Sequence, residues 1–148
     1  MHTRLKERLW AYIVQNNPDL MFNLQEEYAV IHYLEEKVSK VMPMALRLIG
    51  EGREGHAIEE LCVNEMTKEL RPSRYNYICN LLEQQYRYVY YSHRESGNLT
   101  YLAVSLVEHC RDTFNELGFS EKNQKEQSIH AAILEKVGEY LAEKNNKR

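Results

Sequence analysis

Residues 56–70 read HAIEELCVNEMTKEL, and residues 71–94 read RPSRYNYICNLLEQQYRYVYYSHR. The first segment repeats apolar residues every three or four positions, from Ile58 to Leu70, which is typical of an amphipathic helix. Pro72 then interrupts the pattern, and Ser73 is a residue type that caps helix starts. The stretch therefore predicts two successive helices joined by a short turn.

The rest of the chain also predicts helices. Only 6 glycines and 3 prolines occur in 148 residues, and Glu, Lys, Leu and Gln, which favour helices, are abundant. Apolar periodicity predicts helices over about residues 3–16, 23–41 and 99–117, and a last helix that begins at Ser120. Pro43 is expected to end or kink the second of these helices. The predicted fold is a single compact all-α domain of five to six amphipathic helices on one core, and no internal repeat is visible in the sequence.

One segment of this stretch is ambiguous. Tyr86, Tyr88 and Tyr90 alternate with other residues, and this period of two is typical of a strand. Residues 99–106 could pair back on such a strand as a hairpin. We favour helices on both sides, because a lone hairpin would need a partner surface and because later apolar residues form a helical stripe. The stripe consists of Leu99, Leu102, Leu106, Cys110 and Phe114.

The length, net charge and cysteine content limit which kinds of protein this chain can be. At 148 residues we expect a single domain over residues 1–142, followed by a frayed charged tail at residues 143–148. The net charge of -3 is too small to indicate a nucleic-acid or membrane partner by itself, and no apolar run approaches the roughly 20 residues of a membrane span. The cysteines Cys62, Cys79 and Cys110 form no close pair and indicate buried thiols in a reducing compartment. We therefore expect a cytoplasmic protein.

Three short motifs within residues 50–91 carry a family resemblance: GHAIEE at 55–60, SRY at 73–75 and LLE at 81–83. This part of the chain resembles a bacterial family known as domain of unknown function 1896. Its members are small helical proteins, mostly of Bacteroides-type bacteria, and are often encoded in mobile or conjugative elements. Pro72 here replaces the usual aromatic residue of the family, and Arg74 stands where Lys is common. The resemblance implies an all-helical fold and implies no activity.

The sequence contains no catalytic motif, no cofactor-binding fingerprint and no metal-ligand spacing. His56 would share a helix face with Glu59 and Glu60, a geometry that suits a weak ion pair as well as a metal. Any of three histidines could meet a cysteine in space, but the adjacent His109 and Cys110 would point to different faces of a helix. We therefore expect no enzyme activity, no metal and no cofactor.

A cluster of tyrosine and arginine is the strongest candidate for binding. Seven of the 11 tyrosines lie in residues 75–101, and residues 71–94 carry four arginines against the single acid Glu83, a net charge of +3. Tyr and Arg are common anchors of protein interfaces, and both also bind single-stranded nucleic acids by stacking and by neutralising phosphate. Alternatively, half of the tyrosines could be core residues with hydroxyls at the surface. The predicted contact residues are Arg74, Tyr75, Tyr86, Arg87, Tyr88, Tyr90 and Tyr91.

The neighbouring residues 51–70 carry six glutamates against Arg53 and Lys68, a net charge of -4. This acidic segment could be a solvated face or the complement of the basic cluster, within one chain or across a symmetric dimer. The sequence as a whole favours a non-catalytic interaction module that associates with itself or with a protein partner. The alternative is a nucleic-acid-binding accessory protein of a mobile or conjugative element.

Overall fold

The computed structural model describes residues 1–146. Every regular element in that range is helical, which confirms the all-α prediction and the preference for helices over residues 86–106. Within this range there are nine α-helices instead of five to six, because breaks at Tyr86 and Cys110 divide segments that the apolar pattern joins and because Pro18–Glu26 forms a helix of its own. The helices are α1 His2–Asn16, α2 Pro18–Glu26, α3 Val30–Gly50, α4 Gly55–Thr67, α5 Arg74–Gln85, α6 Arg87–Ser96, α7 Leu99–His109, α8 Arg111–Glu116 and α9 Gln127–Asn146, with a 3₁₀ turn at Lys68–Leu70.

The chain divides into two compact units, Met1–Leu70 and the part from Arg71 onward, each with its own hydrophobic core. The first unit comprises α1 to α4, and the second comprises α5 to α9. The single domain expected over residues 1–142 stays a prediction. Because α9 reaches Asn146, the expected charged tail is helical over residues 143–146, and residues 147 and 148 lie outside the described range.

The two units have a similar order of helices when α7 and α8 are taken together. Helices α1, α2, α3 and α4 correspond to α5, α6, the pair α7 and α8, and α9. Asn17 and Tyr86 follow the first helix of each unit with nearly the same backbone angles, φ -136° and ψ 56° against φ -134° and ψ 55°. Tyr28 and Gly97 then both adopt a positive φ, 56° and 81°, shortly before the third helix begins. The two units therefore share an order of helices and the backbone geometry of two of their turns.

Equivalent positions are buried in both units, although the residue types differ. A fully buried aliphatic side chain contributes about 1.5–3 kcal/mol, so these positions, more than helix propensity, hold each unit together. The residues at matched positions often differ in size, so the two units have little sequence similarity there. The matched buried pairs are Leu9 and Ile78, Ile13 and Leu82, Val38 and Val107, Ala45 and Phe114, Ile58 and Ile129, Cys62 and Ile133, and Met66 and Val137.

In the first unit, the second predicted helix is wrong in its boundaries. Pro18 opens α2, where the missing N–H of proline would have no helical partner in any case. Helix α2 ends two residues before Tyr28, whose positive φ separates it from α3. Pro43 lies inside α3 and does not end it, because Val41 and Ala45 on either side are buried in the core and hold the helix together.

In the second unit, two predicted boundaries are confirmed and one is wrong. The Ser73 hydroxyl caps α5 by accepting a hydrogen bond from a backbone N–H of the first turn at 3.0 Å. Gly118 takes a φ of 61° two residues after α8 ends. The last helix begins at Gln127 and not at Ser120, because Asn123 holds the intervening residues in turns. The Asn123 side chain accepts from the Ser120 N–H at 2.8 Å and donates to the Gly118 carbonyl at 3.0 Å.

A substitution at Gly97 tests the positive φ in the turn between α6 and α7. Its φ of 81° lies in the left-handed region, and a Cβ atom there would meet no other atom within 4 Å. Gly97→Ala should therefore lower the free energy of unfolding by about 1 kcal/mol through backbone strain alone. Urea unfolding followed by circular dichroism measures this change.

Gly50→Ala is the matched control, because Gly50 is the last residue of α3 and its surroundings are equally open. It should leave the free energy of unfolding unchanged or raise it by about 0.5 kcal/mol, since alanine restricts the unfolded chain. Equal destabilisation by the two substitutions would contradict the positive φ at Gly97.

Candidate functional site

Helix α6 places some residues of the tyrosine and arginine cluster against the core of the second unit and exposes the others to water. Tyr86 immediately precedes α6, and its ring packs against the core of the second unit. Its hydroxyl lies beside α9, where a Cβ atom at Gly138 would be only 3.1 Å from the hydroxyl oxygen. Val89 and Tyr90 pack against the same core one turn further along. The inner side of α6 is therefore held by one aliphatic and two aromatic side chains.

The opposite side of α6 is exposed to water. It carries Arg87, Tyr88, Tyr91, Arg94 and Glu95, which we call the α6 outer face. Tyr88 is 86% exposed and Tyr91 is 44% exposed. Spacings of three, four and seven residues place these side chains on adjoining stripes of the helix surface. Two large aromatic rings flanked by charges in this way form a patch suited to contact with another molecule.

Tyr91 is held in place by two contacts. Its hydroxyl donates a hydrogen bond to Glu83 Oε2 at 3.1 Å, and its ring meets the ring of Tyr90 edge to face, with centroids 5.0 Å apart and planes at 90°. The hydrogen bond to the Glu83 carboxylate raises the pKa of the Tyr91 hydroxyl. The Tyr91 ring is thus positioned before any partner binds, which reduces the entropy lost on association.

Arg74 and Tyr75, which the sequence also predicts as contact residues, serve the structure of the second unit. The Arg74 guanidinium donates to Asn115 Oδ1 at 2.8 Å and lies over the Phe114 ring, 5.1 Å from its centroid. Tyr75 is half-buried, its hydroxyl lies 3.4 Å from that of Thr100, and burial raises its pKa. Both side chains are therefore committed to contacts inside the unit.

The structure brings three of the seven predicted contact residues together on one exposed surface: Arg87, Tyr88 and Tyr91. The other four face the core or contact other helices of the unit. Arg94 and Glu95 belong to the same surface but are absent from the predicted set. Arg94 lies seven residues after Arg87 and Glu95 lies seven residues after Tyr88, so the helical spacing that the sequence favours could have located both.

The acidic segment 51–70 is largely paired within the first unit. Glu59 is only 7% exposed, and its carboxylate lies 2.5 Å from Arg4 and 4.0 Å from Arg8. The guanidinium of Arg8 also meets Glu60 at 2.7 Å. Two further glutamates of the segment pair with lysines of the same unit. Little uncompensated charge therefore remains in this segment to bind a basic surface.

Among the described residues, no group of three or more His, Cys, Asp or Glu side chains is placed to hold a metal ion. His56 lies 4.0 Å from Glu60, whereas Glu59 turns to the arginines of α1, so this geometry provides a weak ion pair. His109 is exposed and the adjacent Cys110 is fully buried, as expected for neighbours on different faces of a helix.

All three cysteines are free thiols, and none is fully exposed. Burial raises the pKa of Cys62 and Cys79, and it raises the pKa of Cys110 to about 11. At neutral pH these side chains are therefore protonated and weakly nucleophilic, because the thiolate is the reactive form.

The chain matches no protein-family model, no curated protein and no solved structure with which it was compared. The resemblance of residues 50–91 to domain of unknown function 1896 therefore stays a prediction. Within the described residues, no helix combines the length and the apolar character needed to cross a membrane.

The raised pKa of Cys110 predicts slow alkylation. At pH 8, a pKa of about 11 in place of 9.0 lowers the thiolate fraction about 100-fold. A pulse of iodoacetamide, read by mass spectrometry, should therefore label Cys110 at least about 100-fold more slowly in the folded protein than in urea. Since the folded pKa is the higher one, the protonated thiol stabilises the fold below pH 9, and this contribution is lost as the pH rises toward 11. Equal labelling rates in the two states would contradict the buried placement.

Proposed function

We propose that the protein is a non-catalytic interaction module that associates with a second copy of itself through the α6 outer face. The observation that carries this proposal is the exposure of Tyr88, 86%, on a helix whose inner side is anchored in the core. Tyr and Arg are enriched among the residues that dominate binding energy at protein interfaces. The α6 outer face offers two of each on one rigid element.

An antiparallel pairing of α6 with α6 of a second copy matches the charges of this face. Arg87 is the first residue of the helix and Glu95 lies near its end. A two-fold axis near Tyr91 therefore brings Arg87 of each copy against Glu95 of the other. The same arrangement sets Arg94 of one copy beside the Tyr88 ring of the other, which adds a cation–π contact.

The alternative is a nucleic-acid-binding accessory protein of a mobile or conjugative element. The exposed Tyr88 ring can stack on an unpaired base, and Arg87 beside it can neutralise a phosphate. However, two carboxylates adjoin the same surface: Glu83, which accepts from Tyr91, and the exposed Glu95. Because these acids weaken the attraction for phosphate, we favour the protein partner.

We also propose that the protein acts in the bacterial cytoplasm and is not an enzyme. Three thiols that remain unpaired support a reducing compartment. The raised pKa values of these thiols, Cys110 above all, are the opposite of what an activated cysteine nucleophile requires.

Removal of the two central anchors tests the proposal. Arg87→Ala combined with Tyr88→Ala should weaken self-association at least about tenfold, because truncation of an interface anchor costs more than about 1 kcal/mol. The fold should stay intact, since both side chains are exposed. Sedimentation equilibrium at several protein concentrations measures the dissociation constant. An unchanged mass relative to a wild-type dimer would sink the proposal.

Leu46→Ala combined with Arg47→Ala is the matched control for that variant. It removes an adjacent apolar residue and arginine from an exposed part of α3, where Leu46 is 62% exposed. This control should leave the dissociation constant unchanged. A loss of association as large as that of the α6 variant would mean that the interface lies elsewhere.

A charge exchange tests the antiparallel pairing itself. Arg87→Glu and Glu95→Arg should each weaken association, because each places like charges opposite one another. The two substitutions in one chain should restore it to near the wild-type value, since the cross-copy pairs re-form with reversed sign. If the double variant does not regain wild-type association, the antiparallel pairing is ruled out. Other modes of association through the α6 outer face would then be judged by the Arg87 and Tyr88 alanine variant alone.

Fluorescence anisotropy with single- and double-stranded oligonucleotides at two salt concentrations tests the alternative function, nucleic-acid binding. Binding that falls steeply with salt, and that is lost in the Arg87 and Tyr88 variant, would replace the protein partner with a nucleic acid. Absence of binding at low salt would remove the nucleic-acid function.

A further inference from the structure

The first unit carries an apolar groove between the N-terminal half of α1 and the start of α3. The groove encloses about 290 Å³, and most of its exposed lining is apolar. Ile31, which forms part of this lining, is 79% exposed. Apolar surface that is gathered in a groove is typical of a binding site. The apolar side chains of the lining are those of Trp10, Val30, Ile31 and Leu34.

The size and lining of the groove favour a side chain of another protein as its occupant. Small-molecule sites usually enclose about 300–1,000 Å³ and surround most of their ligand, whereas this groove is smaller and Ile31 on its wall is open to water. Glu7 is the only carboxylate in the lining among the described residues. One large apolar side chain that enters a pocket is the usual anchor of a protein contact.

The second unit shows what fills the corresponding place there. The match of positions that relates the buried pairs of the two units also relates Lys6 to Tyr75. The Tyr75 ring packs against the core, and its hydroxyl lies 3.4 Å from that of Thr100, the counterpart of Ile31. In the first unit, Lys6 instead turns to Glu35, with Nζ 2.5 Å from Oε1. The groove therefore lacks an aromatic ring that its counterpart contains.

Tyr28 marks the same end of the first unit as a contact surface. It lies on the turn before α3, two residues from Val30, and is 96% exposed. Its φ of 56° is strained for a residue other than glycine, and its counterpart in the second unit is Gly97. Within residues 1–146 its side chain makes no hydrogen bond or ring contact. Strained residues of this kind cluster at functional sites.

The charges around the groove are acidic. Glu7 lines the groove, and Glu26 and Glu27 are exposed at the end of α2, on the turn that leads to α3. None of these three carboxylates has an ion-pair partner in the part of the chain that the structure describes. The positive charge of Lys6 is compensated by Glu35. Uncompensated negative charge therefore lies beside the apolar lining, and lysine or arginine is its complement.

We propose that this groove binds a basic segment of a partner protein, which inserts one aromatic side chain between α1 and α3. The aromatic ring covers Trp10, Ile31 and Leu34, and lysine or arginine residues on either side of it meet Glu7 and the carboxylates at the end of α2. The same acids repel nucleic acids and anionic membranes. This site goes beyond the self-association proposed above and does not depend on it.

The test uses the fluorescence of Trp10, which reports on the groove because the chain has a single tryptophan. The probe is acetyl-Lys-Ala-Lys-Phe-Lys-Ala-Lys-amide, titrated into the full chain. The emission of Trp10 should move to shorter wavelength as the peptide ring displaces water, and the titration gives the Kd. Peptides with Ala in place of Phe, or with Glu in place of Lys, should bind at least about tenfold more weakly. No shift at millimolar peptide, or equal binding of all three peptides, would overturn the proposal.

Ile31→Ser locates the binding site. It should weaken peptide binding at least about tenfold, because it removes apolar contact with the inserted ring. The fold should stay intact, since Ile31 is 79% exposed. Ile49→Ser is the matched control, because it makes the same change near the other end of α3, where Ile49 is 49% exposed. This control should bind the peptide as the wild type does, and an equal loss in both variants would overturn the assignment.

Glu7→Gln combined with Glu27→Gln tests the contribution of charge. This variant should bind the peptide more weakly, and its affinity should depend less on salt concentration. The control is Glu51→Gln combined with Glu54→Gln, which removes two exposed glutamates beyond the other end of α3. It should bind as the wild type does. Wild-type affinity and salt dependence in the Glu7 and Glu27 variant would overturn the proposal.

Sedimentation equilibrium of Ile31→Ser separates this proposal from self-association. The variant should associate as the wild type does, and the Arg87 and Tyr88 alanine variant should bind the peptide normally, so the two proposals can fail independently. Loss of self-association in Ile31→Ser would assign the groove to a second copy of the chain. Binding to phosphatidylcholine vesicles that is lost in Ile31→Ser would assign it to a lipid surface. Either result would overturn the proposal.

Discussion

The division of α6 into a buried and an exposed side depends on the packing of Tyr86, Val89 and Tyr90 against the core of the second unit. The Tyr86 hydroxyl fits closely against Gly138 of α9, because a Cβ atom at position 138 would lie 3.1 Å from the hydroxyl oxygen. The backbone of Tyr86 is not helical, with φ -134° and ψ 55°, and α6 therefore starts along a new direction after α5. Once Tyr86 is fixed, helical geometry decides which residues of α6 meet the core and which meet water.

This anchor explains why neighbouring tyrosines have different environments. Tyr90 lies one turn beyond Tyr86 and packs on the same core, whereas Tyr88 between them is 86% exposed. The buried rings contribute to the stability of the unit, but the Tyr88 ring has little apolar area to lose to water on unfolding. The fold thus makes little use of Tyr88, which leaves its ring accessible to another molecule. The same helix therefore joins an internal packing surface to an external one.

The all-α class, the Ser73 cap and the helices over residues 86–106 could be predicted because each follows from local rules of apolar spacing and capping. The similar order of helices in the two units could not be predicted, because matched positions such as Ala45 and Phe114 are both buried but differ in identity. The sequence also could not show which tyrosines of the cluster are buried. Alternate tyrosines do not mark one side of a helix, and the packing of Tyr86 against the core decides which side of α6 is buried.

The most direct measurement is a set of ¹H–¹⁵N spectra of the wild-type protein over a wide dilution series. If the α6 outer face joins two copies, the amide signals of α6 should shift together with concentration, with the largest changes at Arg87, Tyr88 and Tyr91, while those of α3 and α4 stay constant. Spectra that do not depend on concentration, or shifts that map to the first unit, would contradict self-association through this surface.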